Sequence, residues 1–143
     1  MPTPIVNKAS AVWTGDLFTG SGRTSLDTSK AGTFDVSWKA RAEESGGTTT
    51  PEELIAAAHA TCFSMQFSNE LKENGTPPGQ LDVSAEVTFV AGTGITGIHL
   101  TVSGQVEGIG SEDFTRIAES AKTNCPVSNA LSAVDITLTA SLA

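Results

Sequence analysis

The sequence predicts an α+β fold in which antiparallel sheets pack around a long apolar central helix. The run from Leu54 to Phe67 contains no lysine, arginine, aspartate or glutamate, which is typical of a helix in a protein core. Segments that alternate apolar and polar residues precede and follow this run, as expected for strands with one buried face. The resulting order of strands, helix, strands, helices and strand differs from the regular alternation of a doubly wound fold.

The N-terminal part of the chain predicts a small antiparallel sheet. The segments SAVWT and TFDVSW (residues 33–38) alternate and are bounded by glycine or turn residues, so each is expected to form a strand. The turn-rich residues between them are expected to contain a short strand near Arg23–Leu26. After Trp38, charge and glycine replace the alternation, and residues 39–50 are expected to form a surface loop that contains Arg41.

The central helix is expected to run from Thr50 to Asn74. Thr50 can act as its N-cap, Pro51 suits the first helical position, and Glu53 completes a capping box. The Asn74-Gly75 pair is a C-terminal signal, and two prolines shortly afterwards prevent continuation. Because its apolar residues are not confined to one stripe, the helix is expected to be buried on nearly all sides.

The C-terminal part predicts a β-hairpin, two helices and a final strand. Residues 81–89 and 98–106 alternate on either side of a glycine-rich turn. Ser111 is expected to cap a helix that ends near Asn124, and a short helix follows from Pro126 to about Leu131. The helix after Ser111 buries the stripe Phe114, Ile117, Ala118 and Ala121. The final strand has one apolar face, formed by Val134, Ile136, Leu138, Ala140 and Leu142.

Length and charge limit the classes of protein that fit. A chain of 143 residues is expected to form one domain over residues 1–143, which buries roughly 70% of its unfolded surface. The net charge of -8 argues against nucleic acid or an anionic membrane as a partner, because both would repel it. No secretory signal pattern opens the chain, which predicts a cytoplasmic protein. Its two cysteines are then expected to be reduced thiols with chemistry or inert core residues.

Cys62 lies within the central helix, where a free cysteine is most often a small hydrophobic residue. A reactive thiol must be a thiolate at neutral pH, which requires a nearby cation or a helix N-terminus. Cys62 is about three turns into its helix, too far for the helix dipole to help much. A cation must therefore come from elsewhere in the fold, and the candidates in turn or loop segments are Arg23 and Arg41.

The segments around the two cysteines resemble a known family. TTPEELIAAAHATCFSM and NCPVSNAL have the order and spacing of the two cysteine motifs of the OsmC/Ohr family of thiol peroxidases, specifically its osmotically inducible OsmC branch. The similarity extends to AVWTGD, to the arginine between Trp38 and the helix, and to the Asp-Phe helix before the second cysteine. It therefore covers essentially the whole chain.

The resemblance implies a role for each of four residues. Cys62 matches the peroxidatic cysteine, whose thiolate attacks the O–O bond and becomes a sulfenic acid. Cys125 matches the resolving cysteine, which condenses with the sulfenic acid to a disulfide. Arg41 matches the arginine that stabilises the thiolate and the leaving oxygen, and Glu52 the glutamate that positions it. In the sister Ohr branch the arginine comes from an earlier glycine-flanked turn, where Arg23 lies here, so both arginines remain candidates.

The resemblance also implies an OsmC-like fold, an intertwined homodimer with sites at the subunit interface, and no metal or bound cofactor. The implied substrates are organic hydroperoxides and, less readily, hydrogen peroxide, and the implied reductant is an external dithiol, possibly a lipoylated protein. Glu52 and Cys62 on one straight helix would lie about 15 Å apart along the axis and roughly 80° apart around it. Either the helix begins later or bends, or the site is assembled from two chains.

The two histidines allow other interpretations besides the peroxidase hypothesis. His59 lies one turn before Cys62, where it is either a base for the thiol or, more commonly, a hydrogen-bonded core histidine. Together with His99 and the two cysteines it would supply four zinc ligands, but their spacing matches no tight zinc motif.

The apolar residues beside the thiol also allow two interpretations. Phe63, Met65 and Phe67 either line a pocket for the alkyl group of a hydroperoxide or pack in the core. The functional alternatives are a non-catalytic OsmC-fold module that binds a small apolar ligand, a redox sensor, and two thiols that serve only packing. Binding alone would not require a resolving cysteine, which favours the enzyme.

Overall fold

The computed structural model describes residues 2–44 and 46–143. The chain divides into two compact units, Met1–Pro51 and Glu52–Ala143, and each is described separately. The expectation of one domain over residues 1–143 stays a prediction.

The N-terminal unit contains the expected small sheet. Its strands are β1 (Ser10–Thr14), β2 (Ser21–Ser25) and β3 (Thr33–Val36), paired in that order and antiparallel throughout. The register places Arg23 of β2 opposite Asp35 of β3. The short middle strand predicted near Arg23–Leu26 is thus present, about two residues earlier along the chain.

A short helix, α1 (Trp38–Ala42), occupies the start of the segment expected to be a loop. Ser37 is its N-cap, and the Ser37 hydroxyl accepts a hydrogen bond of 3.2 Å from the backbone N–H of Ala40. The residues that follow have good intrinsic helix propensity, so the cap is enough to start one turn. The loop prediction was therefore wrong for the residues up to Ala42, and Arg41 lies on a helix.

The long helix α2 (Pro51–Glu73) opens the C-terminal unit with the predicted start and stop. Gly75 has a φ of 85°, a conformation that glycine adopts without strain. The backbone N–H groups of Gly75 and Thr76 donate to the carbonyls of Lys72 and Leu71, each at 2.9 Å. This is the Schellman arrangement, which satisfies two carbonyls at the helix end.

Helix α2 is not buried on all sides, contrary to the expectation from its apolar sequence. A single stripe with four-residue spacing is buried, namely His59, Phe63, Phe67 and Leu71. On another face Ala57, Ala58 and Thr61 are exposed, and 69% of the Met65 surface is accessible. A single chain thus covers only one face of this helix.

The C-terminal sheet is mixed, so the prediction of purely antiparallel sheets was wrong. The strands β4 (Gln80–Val90) and β5 (Gly94–Gln105) form the expected hairpin, with a bulge at Thr88/Phe89. The last strand, β6 (Asp135–Leu142), pairs with β5 in parallel. Two helices connect β5 to β6 and return the chain to the end of the sheet where β5 begins, which is what parallel pairing requires.

These two helices are α3 (Ser111–Asn124) and α4 (Pro126–Ala130). The N-cap of α3 is Gly110, so the prediction that Ser111 caps the helix was wrong by one residue. The predicted stripe of α3 is buried and packs with α2 and β5 in one core. The rings of Phe67 and Phe114 are 5.0 Å apart in an edge-to-face arrangement, which joins α2 to α3.

Candidate functional site

Helices α2 and α4 bring the two thiols together. Cys62 is partly buried on α2, and Cys125 is fully buried at the residue before α4. The backbone N–H of Cys125 donates to Ala121 of α3 at 2.9 Å, and its carbonyl accepts from Asn129 of α4 at 3.0 Å. The side chains of Cys62 and Cys125 are close enough to influence each other, and both are free thiols. This arrangement suits the formation of a disulfide.

The surroundings of Cys62 favour its protonated form. Burial raises the pKa of the Cys62 thiol, and the hydrogen bond and charge of the Cys125 thiol raise it further. The nearby backbone N–H of Val127 lowers the pKa of Cys62 but does not reverse the shift. A nucleophilic role for Cys62 therefore requires an additional group that stabilises the thiolate.

Glu52 lies in the first turn of α2 and is only 6% exposed, whereas its neighbour Glu53 is exposed. Because α2 begins at Pro51, Glu52 is helical, and the idea that the helix begins later was wrong. Glu52 and Cys62 thus belong to the same helix, about 15 Å apart along its axis. Glu52 and Arg41 belong to different compact units.

The two candidate arginines differ in their local surroundings. Arg23 lies on β2, where its Nε is 3.2 Å from Oδ1 of Asp35 and its side chain is 73% exposed. Arg41 lies on α1 and is partly buried. The roles of Arg41 and Glu52, and the choice of Arg41 over Arg23, stay predictions.

His59 is a fully buried histidine, as the core interpretation expected. Its Nε2 lies 2.7 Å from Oγ of Ser128, which is also buried, on α4. Burial lowers the pKa of His59, so the ring is neutral at pH 7. Ser128 was missed from the sequence, although its position one turn after Cys125 would have been a reason to examine it.

The zinc alternative has no support in the part of the chain that the structure describes. No group of three or more histidine, cysteine, aspartate or glutamate residues there is arranged to hold a metal ion. His99 instead lies on β5, with Nδ1 2.6 Å from Oγ1 of Thr137 and Nε2 3.0 Å from Oγ1 of Thr139. Its two ring nitrogens are both engaged by hydroxyl groups.

The aromatic residues next to Cys62 belong to the core. Phe63 and Phe67 are fully buried, with ring centroids 5.5 Å apart, and neither is free to line an open pocket. Met65 points to the exposed face of α2. Of the two interpretations left open by the sequence, core packing therefore applies to the two phenylalanines.

Comparison with known proteins agrees with the arrangement of the two cysteines. The family described as OsmC-like protein matches residues 44–139. A relative named Peroxiredoxin OsmC, from Escherichia coli (strain K12), is 41% identical over 137 residues, which cover 94% of each chain. A relative of the same name from Shigella flexneri matches equally well.

Solved structures show the same fold. An OsmC-like protein from Mycoplasma pneumoniae superimposes with a TM-score of 0.73 at 14% identity, and 98% of this chain and 99% of that one are covered. An organic hydroperoxide resistance protein from Elizabethkingia anophelis gives a TM-score of 0.69 at 23% identity, covering 100% and 99%. Within the described residues, no helix has the length and apolar character needed to cross a membrane.

Proposed function

Because this chain belongs to the OsmC family, we propose that it is a cysteine-based peroxidase that reduces organic hydroperoxides and, less readily, hydrogen peroxide. The observation that carries the proposal is the contact between the Cys62 and Cys125 side chains, which the folding of two separate helices produces. The 41% identical relative named Peroxiredoxin OsmC supports the same activity. Its biological role is then defence against oxidative stress.

The reaction needs two thiols and no bound cofactor. The Cys62 thiolate attacks one peroxide oxygen, the O–O bond breaks, and the leaving alkoxide takes a proton to become an alcohol. Cys62 is then a sulfenic acid. The Cys125 sulfur attacks the Cys62 sulfur, the S–O bond breaks, and the oxygen leaves as water. The two electrons that reduce the peroxide come from the two thiols, and an external dithiol must return two electrons to the disulfide to restore them.

We assign the stabilisation of the thiolate to Arg41 and the positioning of Arg41 to Glu52. The raised pKa of Cys62 requires such a cation. A carboxylate as buried as Glu52 is costly unless it is paired with a cation, which supports its role as a partner for an arginine. Arg23 is the weaker candidate because its Nε already faces Asp35 and its side chain is largely exposed.

We propose a homodimer with two sites. The single chain exposes large apolar side chains that water would not favour, with Phe18 76% and Met65 69% accessible. The exposed small residues of α2 would allow close approach by a second chain. Sedimentation that finds a folded, active monomer at working concentration would rule the dimer out.

The need to reduce the disulfide after each cycle supports a cytoplasmic location and a dithiol reductant. A dithiol that must be regenerated after each cycle suits the reducing cytoplasm. A dihydrolipoyl group on a lipoylated protein is the dithiol we propose as electron donor, because a dithiol can release the mixed disulfide without a second molecule.

Turnover assays distinguish the enzyme from its alternatives. With excess dihydrolipoamide, we expect the wild-type protein to consume many equivalents of cumene hydroperoxide, and Cys62→Ser to consume none. Consumption of a single equivalent, without turnover, would indicate a redox sensor. A protein that consumes no peroxide under any of these conditions would be better explained as a module that binds an apolar ligand.

A further inference from the structure

A hydrogen bond outside the two thiols also joins α2 to α4. His59 and Ser128 are 69 positions apart in the chain, yet Nε2 and Oγ are separated by 2.7 Å. His59 is fully buried and Ser128 is 6% exposed, so neither can turn to water if the contact is lost. An unpaired buried polar group costs about 1–3 kcal/mol, which makes this contact a strong constraint on where α4 lies.

The surroundings of Nδ1, the second ring nitrogen of His59, indicate which of the two nitrogens carries the proton. Nδ1 is buried and has no hydrogen-bond partner among the residues that the structure describes. An orphaned N–H is rarer in proteins than an under-satisfied acceptor, so the proton belongs on Nε2. Nε2–H therefore donates to the Ser128 hydroxyl oxygen, and a side-chain amide donor at the same place would preserve the bond.

The contacts between α2 and the start of α4 form one continuous set. His59 and Cys62 are three residues apart on α2, so they lie on neighbouring positions of one helix face. His59 bonds Ser128, Cys62 lies close to Cys125, and the backbone N–H of Val127 also lies near the Cys62 sulfur. Helix α4 has only five residues and is too short to be stable by itself, so such contacts must hold it in place.

Oxidation of Cys62 disrupts two of these three contacts, namely those made by its sulfur. Oxidation adds an oxygen to the Cys62 sulfur, which is the atom that Cys125 and Val127 both contact. The His59–Ser128 bond involves neither sulfur and persists through that step. Together with the core packing of Cys125 and its backbone bond to Ala121, this side-chain bond keeps Cys125 within reach of the Cys62 sulfenic acid. Small losses of position slow such reactions strongly.

We propose that His59 and Ser128 are a positioning pair, which holds α4 against α2 so that Cys125 attacks the Cys62 sulfenic acid rapidly. This inference rests on the proposed peroxidase function. The pair does not touch peroxide or transfer a proton in the first step. Its loss slows formation of the S–S bond while leaving the O–O cleavage unaffected.

The test measures the two steps separately. Sulfenic acid formation is followed in a Cys125→Ser background, and disulfide formation is followed by rapid quenching of proteins that keep both cysteines. We expect His59→Leu and Ser128→Ala to slow disulfide formation about tenfold, the size of one lost hydrogen bond with a group left unpaired. The first step should stay within about twofold, and trapping of the sulfenic acid by dimedone should increase.

Rescue and control variants separate positioning from general damage. We expect His59→Gln, whose amide reaches the place of Nε2, to restore most of the rate of disulfide formation. The double variant His59→Leu/Ser128→Ala should lose no more than either single change, because both remove the same contact. His99→Gln is the matched control on β5 and should leave both steps unchanged.

Each alternative result has a defined meaning. If the two steps slow together, or if disulfide formation keeps its wild-type rate in Ser128→Ala, the positioning pair is wrong. Ser128→Ala removes a single oxygen and keeps the test available if His59→Leu does not fold. If Cys62 is not oxidised even in the protein with wild-type His59 and Ser128, the proposed peroxidase is wrong instead.

Discussion

At the scale of single residues, the surroundings of Cys62 favour the protonated thiol, whereas a nucleophilic cysteine must be a thiolate. Burial and Cys125 raise its pKa, and a single backbone N–H from Val127 does not compensate. Placing Cys62 near Cys125 was predictable from the resemblance, because the two motifs stand in the family's order. The raised pKa of Cys62 was not predictable from the sequence, because it depends on burial and on groups at the start of α4, which is distant along the chain.

The pH dependence of the Arg41→Ala variant tests how the thiolate is stabilised. A raised pKa means that the thiolate fraction falls about tenfold for each unit by which the pKa exceeds the pH. We expect Arg41→Ala to oxidise at least about tenfold more slowly at pH 7 and to recover as the pH rises towards the pKa of Cys62. Stopped-flow measurement in a Cys125→Ser background checks this, with Arg23→Ala as the control that keeps the wild-type profile.

If Arg23→Ala acquires the steep pH profile and Arg41→Ala does not, the roles of the two arginines are reversed. Equal and pH-independent losses in both would contradict thiolate stabilisation by either side chain.

His59 makes a separate prediction about stability. Burial lowers its pKa in the folded state, so the unfolded chain binds the proton more readily. Neutral His59 therefore stabilises the folded protein fully above the ordinary histidine pKa. This stabilisation is lost as the pH falls from that value towards the lower pKa of the folded state. Urea unfolding at pH 7 and pH 5 should show a smaller loss on acidification in His59→Gln, by at most about 1.4 kcal/mol per pH unit.

The matched control for this prediction is His99→Gln, which separates the removal of the buried histidine from the removal of a histidine on β5. An unchanged acid loss in His59→Gln would mean that His59 is not the buried neutral histidine described above.

At the scale of elements, strong local signals were predictable, but the pairing direction of the last strand was not. The start and end of α2, the β4–β5 hairpin and the buried stripe of α3 follow from caps and periodicity. Alternation is the same in parallel and antiparallel strands, so β6 carried no signal for its direction. Helix α1 has five residues, too few to show a helical period, and only Ser37 could have revealed it.

The packing of α3 on β5 gives a prediction that sequence periodicity did not. A Cβ atom at Gly104 of β5 would lie 2.6 Å from Cε2 of Phe114, so the close approach of the ring requires glycine there. We expect Gly104→Ala to lower the free energy of unfolding by about 1–3 kcal/mol, measured in urea. Gly97→Ala is the control on the same strand, because its nearest neighbour would lie at an ordinary 3.7 Å.

Equal stability losses in the two glycine variants would show that the packing of Phe114 is not what requires Gly104. The lower backbone freedom of alanine in the unfolded chain could not explain such losses, because it stabilises the folded state.

At the scale of the whole molecule, the four predicted site residues divide between the two compact units. Cys62, Cys125 and Glu52 belong to one unit and Arg41 to the other. The family resemblance predicted that the two thiols are close to each other. Local sequence patterns cannot predict which subunit supplies the arginine, because that depends on how two chains associate. Exposed apolar side chains on both units support a dimer as the assembly that completes the site.

Mixed dimers determine whether one chain supplies Arg41 to the Cys62 of the other. We expect slow Arg41→Ala and inactive Cys62→Ser proteins, unfolded together and refolded at equal concentration, to reach about a quarter of wild-type activity at pH 7, as random pairing in a two-fold dimer requires. The result is measured as turnover of cumene hydroperoxide with dihydrolipoamide. Mixtures that stay at the mean activity of the two separate proteins after the subunits have demonstrably exchanged would show that each chain supplies its own arginine.

In the proposed reaction, Cys62 attacks the peroxide and Cys125 resolves the resulting sulfenic acid. The most direct measurement is mass spectrometry of the reduced protein after one equivalent of cumene hydroperoxide, with Cys62→Ser and Cys125→Ser in parallel. We expect the wild type to lose two hydrogens and join the peptides of Cys62 and Cys125, Cys125→Ser to gain oxygen on Cys62, and Cys62→Ser to stay unchanged. Oxidation of Cys125 in the Cys62→Ser protein, or three proteins that remain fully reduced, would contradict the account.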